Sequence, residues 1–393
     1  MKTVRIDYFF ELFEKNSIPK LFSKVHDPKN EKTIENPDFN KGTIDNAVNS
    51  VFFVPDYLQP VLGSDSYTIK KIEQFFKGYA IVLDGHDSAD AYVKHRFRSN
   101  AKGIRRRIKR LEACFQISYQ TFYGNIEKEQ YDFFMDSLEK MLIRRFKQRN
   151  DTSQSLLRWE YYKNLYFSLI NEKKASMLVI FDRNQPILVS LNHHFHGRLF
   201  SAISSYDIDY GKYSLGSVEI YKKLDWCLAN DHVSYEMGMG DLSYKREWSN
   251  HIYNFEHQII YPKGSVLASI KGNIEFLKAT IKEFIFKIAY VRYKNYKAKR
   301  KKNPILSIKS EVSPIEAINN VPDGVQIDFN KEQYTFLRKT VYDFLYAAIE
   351  NVSNVSVLQL NKQEHSFLII GKSKMQHVVF ENVPDKIDNL NSV

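Results

Sequence analysis

Residues 232–249 constrain this chain more than any other stretch; they read His-Val-Ser-Tyr-Glu-Met-Gly-Met-Gly-Asp-Leu-Ser-Tyr-Lys-Arg-Glu-Trp-Ser. Val233, Tyr235 and Met237 alternate as in a strand, predicted over His232–Met237. The strand runs into Gly238 and Gly240, and Asp241 follows. Glycine at a strand end permits positive φ and lets a backbone or ligand come close. Ser243 is expected to cap one helical turn carrying Tyr244, Lys245 and Trp248. A carboxylate, a phenol and an ammonium therefore gather where a β-strand stops, which is an arrangement for a site rather than for a core.

The flanking pattern predicts an α+β chain. Tyr8–Glu14 reads as a helix and Asp27–Asn49 as loop. Phe52–Leu62 reads as a strand, Ser66–Phe76 as a helix and Gly78–Leu83 as a strand. Ser88 and Ser99 are candidate caps, the second for a helix ending near Cys114. Ile104, Ile108, Leu111 and Phe115 make its apolar stripe and push the arginines to other faces. Helices are expected at Glu127–Gln148 and Leu157–Asn171. A strand at Met177–Asp182 precedes a hairpin of Pro186–His196 and Arg198–Tyr206, turned by His196-Gly197-Arg198. Helix Ser217–Ala229 and strand Ile252–Tyr261 bracket the opening segment. Leu267–Val291 is a long amphipathic helix with a basic end. Residues 301–328, with their lysines and prolines, read as a linker. A small α+β extension over 329–393 closes the chain: a helix near Lys331–Glu350 and strands near Val355–Leu360, Ser366–Ile370 and Gln376–Phe380.

The strand-glycine-acid-Tyr-Lys segment resembles the end of the fifth strand in GNAT-fold acyltransferases of the cellulose-biosynthesis-associated, or BioF-like, branch. The positions that carry the likeness are Glu236, Gly238, Gly240, Asp241, Tyr244 and Lys245. The Fem aminoacyltransferases are relatives with an aromatic-Lys pair at that place. Upstream, Ser205–Gly216 looks like the family's acidic loop and Ser-x-Gly turn, and Tyr92–Glu112 like its opening helix. The likeness covers roughly residues 50–262. It implies a GNAT fold: a mixed, mostly antiparallel sheet with flanking helices. The catalytic domain would span 91–265, and a shortened N-terminal GNAT-like region 1–90. The helix over 266–300, the linker and the extension lie outside it. The usual pyrophosphate loop, Gln/Arg-x-x-Gly-x-Gly/Ala, is absent.

For such a fold the resemblance implies that an acyl carrier, acyl-CoA or the phosphopantetheine of an acyl-carrier protein, lies between strands Arg198–Tyr206 and His232–Met237. Its phosphates would meet the helix start at Gly216, Ser217 and Val218, with Lys212 beside them. Lys245 would stabilise the oxyanion or hold a phosphate, and likeness to the Fem relatives favours the first. Tyr244 would donate to the leaving thiolate or pack. Glu236 or Asp241 would be the general base, unless Glu236 turns into the sheet. His194 and Asp207 are candidates for touching the amine acceptor, whether small-molecule or carrier-bound. The His193-His194-Phe195-His196 run has two same-face histidines but no third ligand at zinc spacing, so no metal is expected.

Charge adds a partner class. The chain carries a formal net charge of +11, with nine cations between Lys94 and Arg110 and no acid among them. Arg105 is the candidate there for touching a polyanion: CoA phosphates, an acidic carrier protein or, in a Fem-like enzyme, tRNA. A second basic tract begins at Arg292. Cys114 and Cys227 read as buried thiols of a reducing compartment, and with no membrane span in the sequence a cytoplasmic enzyme is expected. No activated nucleophile is evident, which points to direct attack. A Fem-like tRNA-dependent transferase and a catalytically silent GNAT scaffold are the alternatives.

Overall fold

A computed structural model describes residues 1–28, 31–39, 47–299, 310–315, 322–360 and 365–381. The N-terminal part runs β1 (Thr3–Asp7), α1 (Tyr8–Phe13), β2 (Phe22–Asp27), β3 (Lys32–Glu35), β4 (Val48–Pro55), β5 (Gln59–Leu62) and β6 (Tyr67–Val82). Helices α2 (Ala89–Phe97) and α3 (Ala101–Cys114) follow, then β7 (Ile117–Phe122), α4 (Lys128–Arg149) and α5 (Trp159–Asn171). The central strands are β8 (Ala175–Asp182), β9 (Gln185–Phe195) and β10 (Arg198–Tyr206). Next come α6 (Leu215–Ala229), β11 (Ser234–Met239), α7 (Ser243–Trp248), β12 (His251–Pro262) and α8 (Val266–Lys299). The C-terminal part holds β13 (Ser310–Ile315), β14 (Gly324–Ile327), α9 (Thr335–Ala348), β15 (Ser356–Leu360), β16 (Ser366–Ile370) and β17 (Met375–Phe380).

One nine-stranded sheet organises the molecule, in the order β1-β4-β12-β6-β11-β10-β9-β8-β7. Only β1/β4 and β10/β11 pair in parallel; the rest are antiparallel. Side chains alternate between its faces as the pleat requires. On β8, Ile180 joins a core with α2, α3 and α6, whereas Met177 and Val179 join a second core with α4 and α5. The α+β class and the mixed, mostly antiparallel sheet with flanking helices are therefore as expected.

Two local expectations are corrected. Residues 66–76 are not helical: 67–82 form one sixteen-residue strand. Its Lys-Lys-Ile-Glu-Gln stretch is compatible with a helix, but β6 is hydrogen-bonded to β12 from Tyr67 to Ala80 and to β11 from Gly78 to Val82. Pairing along β12 overrides local preference in that stretch. β1, β4 and β6, from the first ninety residues, belong to the same large sheet as β7 to β12. Capping is also corrected. Ser88 caps α2 through its hydroxyl, but Ser99 and Ser243 cap nothing: α3 is preceded by Asn100 and α7 by Leu242, neither with a side-chain bond.

The C-terminal elements form a five-stranded sheet, β13-β17-β16-β15-β14. Two strands thus lie inside the stretch read as linker; residues 300–309 and 316–321 of that region, and the end of the second basic tract, lie outside the described residues. Leu337, Val341 and Leu345 of α9 belong to the same core as α3 and α6. This extension is packed against the turn at 208–213 that follows β10. Among the described residues, no helix is long and apolar enough to cross a membrane. Cys114 and Cys227 are free and buried.

Candidate active site

β10 and β11 pair at only three positions, Arg198 with Ser234, Leu199 with Tyr235 and Phe200 with Glu236. Beyond Phe200 the two strands part. Each carries a register shift where they do so, between Ser201 and Ile203 against β9 and between Glu236 and Gly238 against β6. A bulge bends its strand and frees backbone groups from the ladder. Gly238 makes the second bend feasible. It holds φ +68°, and a Cβ there would lie 2.8 Å from the Phe200 ring. A cleft of about 650 Å³ opens between the splayed ends, with Ala202, Met237 and Gly238 on its walls.

One wall of the cleft is cationic. Arg145 and Arg149, from the last turns of α4, line it. The Arg145 guanidinium sits 4.3 Å from the centre of the Tyr206 ring, and burial pushes its pKa down. Also lining the cleft are Gly216 and Ser217 in the first turn of α6, a fifteen-residue helix whose N-terminus has no side-chain cap. Glu219 lines it too, and its carboxylate accepts from Lys223 Nζ at 2.6 Å and from Ser204 Oγ at 2.7 Å. Lys223 is 1% exposed and also donates to Ser201 Oγ. Sequence reasoning missed Arg145, Arg149 and the Glu219–Lys223 pair. The signals available were the clustered cations at the end of α4 and the i,i+4 spacing of Glu219 and Lys223.

Lys245 and Tyr244 line the same cleft from α7. Lys245 is only 7% exposed, and its Nζ donates to the Met239 carbonyl at 2.7 Å. Burial lowers its pKa from 10.5 to about 8. The half-exposed Tyr244 is shifted the other way, up to about 12, by loss of solvation, with Glu219 adding and Arg145 opposing. Two groups that titrate close together in water are thereby pushed apart in opposite directions, which is how one site can hold a base and an acid at the same pH.

The other candidates lie elsewhere. Glu236 turns into the sheet: it is 1% exposed and accepts from the Tyr253 hydroxyl at 2.9 Å. Asp241 accepts from Arg246 and from Tyr79 outside the cleft. Val218 is in the core, and Lys212 is exposed and does not line the cleft. His194 is buried against His232 Nε2 at 2.9 Å and Ser176 Oγ at 2.8 Å. Asp207 is gripped by Arg144 at 2.7 Å and by Arg338 of α9 at 2.8 Å. Arg105 makes a two-pronged pair with Asp90, while Arg96 holds the carbonyls of Arg246 and Glu247. Arg110 stacks on Tyr346. The basic tract is thus partly engaged within the protein.

A second cavity, about 240 Å³, shares Phe200, Ala202 and Met239 with the first. Phe10, Phe53 and Tyr162 give it aromatic walls, and Asp7 and Glu14 give it carboxylates.

Residues 98–246 match the family model of an acetyltransferase (GNAT) domain. No curated protein matches the chain. Similar solved structures include FemX, at 8% identity and a TM-score of 0.40, with 57% of this chain and 74% of that one covered. A conserved protein of unknown function from Bacteroides thetaiotaomicron VPI-5482 has 8% identity, a TM-score of 0.38 and coverages of 54% and 70%. A GCN5-related N-acetyltransferase from Sphaerobacter thermophilus has 9% identity, a TM-score of 0.30 and coverages of 55% and 60%. These likenesses are distant. The mixed sheet and the domain match together identify a GNAT fold, and the match over residues 98–246 supports an acyltransferase-type function.

Proposed function

We propose that this protein is an N-acyltransferase that takes its acyl group from a phosphopantetheine thioester, on CoA or on a carrier protein. The observation that carries the reading is the splay of β10 from β11, which opens a cleft lined by Arg145 and Arg149. Arg145, Arg149 and the start of α6 would hold the carrier's phosphates. The thioester would lie between the parted strands, where backbone groups released by the bulges can meet its carbonyl oxygen. The arginine tract that would favour a tRNA donor is partly engaged internally, so the phosphopantetheine donor is the better reading. The branch within the GNAT fold rests on the Glu-Met-Gly-Met-Gly-Asp and Tyr-Lys motif.

The amine would approach through the second cavity, whose aromatic walls and two carboxylates suit an ammonium on an apolar body. Neutral Lys245 takes a proton from that ammonium, a task its pKa of about 8 permits near neutrality. The freed nitrogen bonds to the thioester carbon, and the C–S bond breaks as the tetrahedral intermediate collapses. Tyr244, still protonated at neutral pH, gives its proton to the leaving thiolate and recovers one from the nitrogen, which sheds its second proton as the amide forms, so that a free thiol and a neutral amide leave. Lys245 therefore acts as base in this reading, in place of Glu236 and Asp241, which do not line the cleft.

The test is a thiol-release assay with acyl-CoA and acyl-carrier-protein donors against a panel of apolar and aromatic amines. Thiol release that depends on both an amine and Lys245 supports the reading. Release that Lys245→Met leaves intact, or none with any thioester while an aminoacyl-tRNA is consumed, overturns it.

A further inference from the structure

Helix α8 carries two apolar faces, and among the described residues only one is covered. Gly272 and Ala279 lie against the large sheet, with Phe276, Phe286 and Tyr290 along the same side. A Cβ at Gly272 would meet the Tyr261 ring at 2.3 Å, so this side of the helix sits close on β12. The other face is a strict heptad seam with spacings 3-4-3-4-3-4-3 from Leu267 to Val291. Its first positions are Leu267, Ile274, Ile281 and Ile288, and its fourth positions are Ile270, Leu277, Phe284 and Val291. All eight side chains are between 40% and 74% exposed.

We infer that this seam joins two copies of the chain, helix α8 against helix α8, as a short coiled coil. Three observations lead there. The period is 3.5 residues, which keeps a narrow stripe facing a partner helix as the two supercoil. The area fits: eight half-exposed aliphatic and aromatic side chains leave an uncovered patch on the order of 800 Å² per copy, the size of a standard protein interface and more than a monomer ordinarily exposes. Cations flank the stripe, with Lys271, Lys278 and Arg292 following three of its four fourth positions and the exposed Ile285 following the other.

The charges give the seam a distinguishing property. The acids of this segment are turned to the body. Glu283 accepts from Gln74 and from the Phe75 amide, and Glu275 is held by Lys278 with 14% of its side chain exposed. Cations on one copy therefore meet cations on the other: Lys287 beside Arg292 if the helices run parallel, Lys278 beside Lys278 if they run antiparallel. Salt screens that repulsion, so this association tightens as ionic strength rises, opposite to the response of an acidic partner or an anionic membrane.

The experiment is sedimentation equilibrium on the full chain at about 50 mM and about 500 mM salt, spanning roughly 1 to 100 μM protein. The expected result is a dimer that tightens at higher salt and weakens roughly a hundredfold in Ile274→Asp/Ile281→Asp, with unchanged circular dichroism. Both residues are about half exposed in the single chain, so the double variant should fold. A monomer throughout the range, a dimer indifferent to the double substitution, or a dimer loosened by salt overturns the inference. So does a monomer that floats with phosphatidylglycerol vesicles through this seam.

Discussion

Replacing Lys245 by methionine should make the protein more stable and less active at once. The side chain is 7% exposed, and burial alone lowers its pKa from 10.5 to about 8. That difference corresponds to about 3 kcal/mol by which the folded state disfavours the ammonium at pH 7. Methionine removes the penalty and keeps the volume. It also gives up the bond to the Met239 carbonyl, worth about 1.5 kcal/mol. The net expectation is a gain of roughly 1–2 kcal/mol at pH 7. The pH dependence checks the cause. Between the folded value near 8 and the unfolded value near 10.5, the unfolded chain binds the extra proton, so the native enzyme gains stability as pH rises through that window. Lys245→Met cannot, and its advantage should shrink between pH 8 and pH 10. Urea denaturation of both proteins at pH 7, 8.5 and 10 reads this directly. A variant less stable than the parent at pH 7, or an advantage constant with pH, would refute the reasoning that Lys245 is held at a cost for its chemistry.

With Lys245 as base, kcat/KM for a fixed thioester and amine should rise with pH to a plateau above about 8. A fall through that pH would show the ammonium, and hence oxyanion stabilisation, to be the active form. Glu219→Ala should destabilise the protein by about 3–5 kcal/mol in denaturant melts, because it leaves the Lys223 ammonium buried without its carboxylate. Arg338→Ala should cost about 2 kcal/mol and raise hydrogen exchange in residues 207–214. That side chain joins α9 to Asp207, beside the turn packed on it.

The succession of strands from 175 to 262 was legible because their apolar runs are short and bounded by Gly or polar turns, whether buried throughout, as in β9, or alternating, as in β12. Gly238 and the Tyr244-Lys245 pair marked the strand end for the same reason: a glycine there has few other uses. What could not be read was which neighbour each polar group would find. Glu236 follows the strand's alternation onto the face where Tyr253 waits, whereas Lys245 folds back over Met239. Asp207 looked available until Arg144 and Arg338 came to it from 63 and 131 residues away. Residues 66–76 were misread because their pairing partner, β12, lies far along the chain. The exposed seam of α8 was visible as a period, but that the opposite face does the packing depends on Gly272 meeting Tyr261.

The central claim, that a phosphopantetheine carrier occupies the cleft between β10 and β11, is tested most directly by calorimetric titration of CoA into the native chain and into Arg145→Glu. Arg145 lines the same cleft as the start of α6. Placing a carboxylate there should weaken CoA at least tenfold, with the loss smaller at high salt because the contact is electrostatic. Equal CoA affinity in the two folded proteins, or CoA binding abolished by changes remote from the cleft and not by this one, would contradict the account.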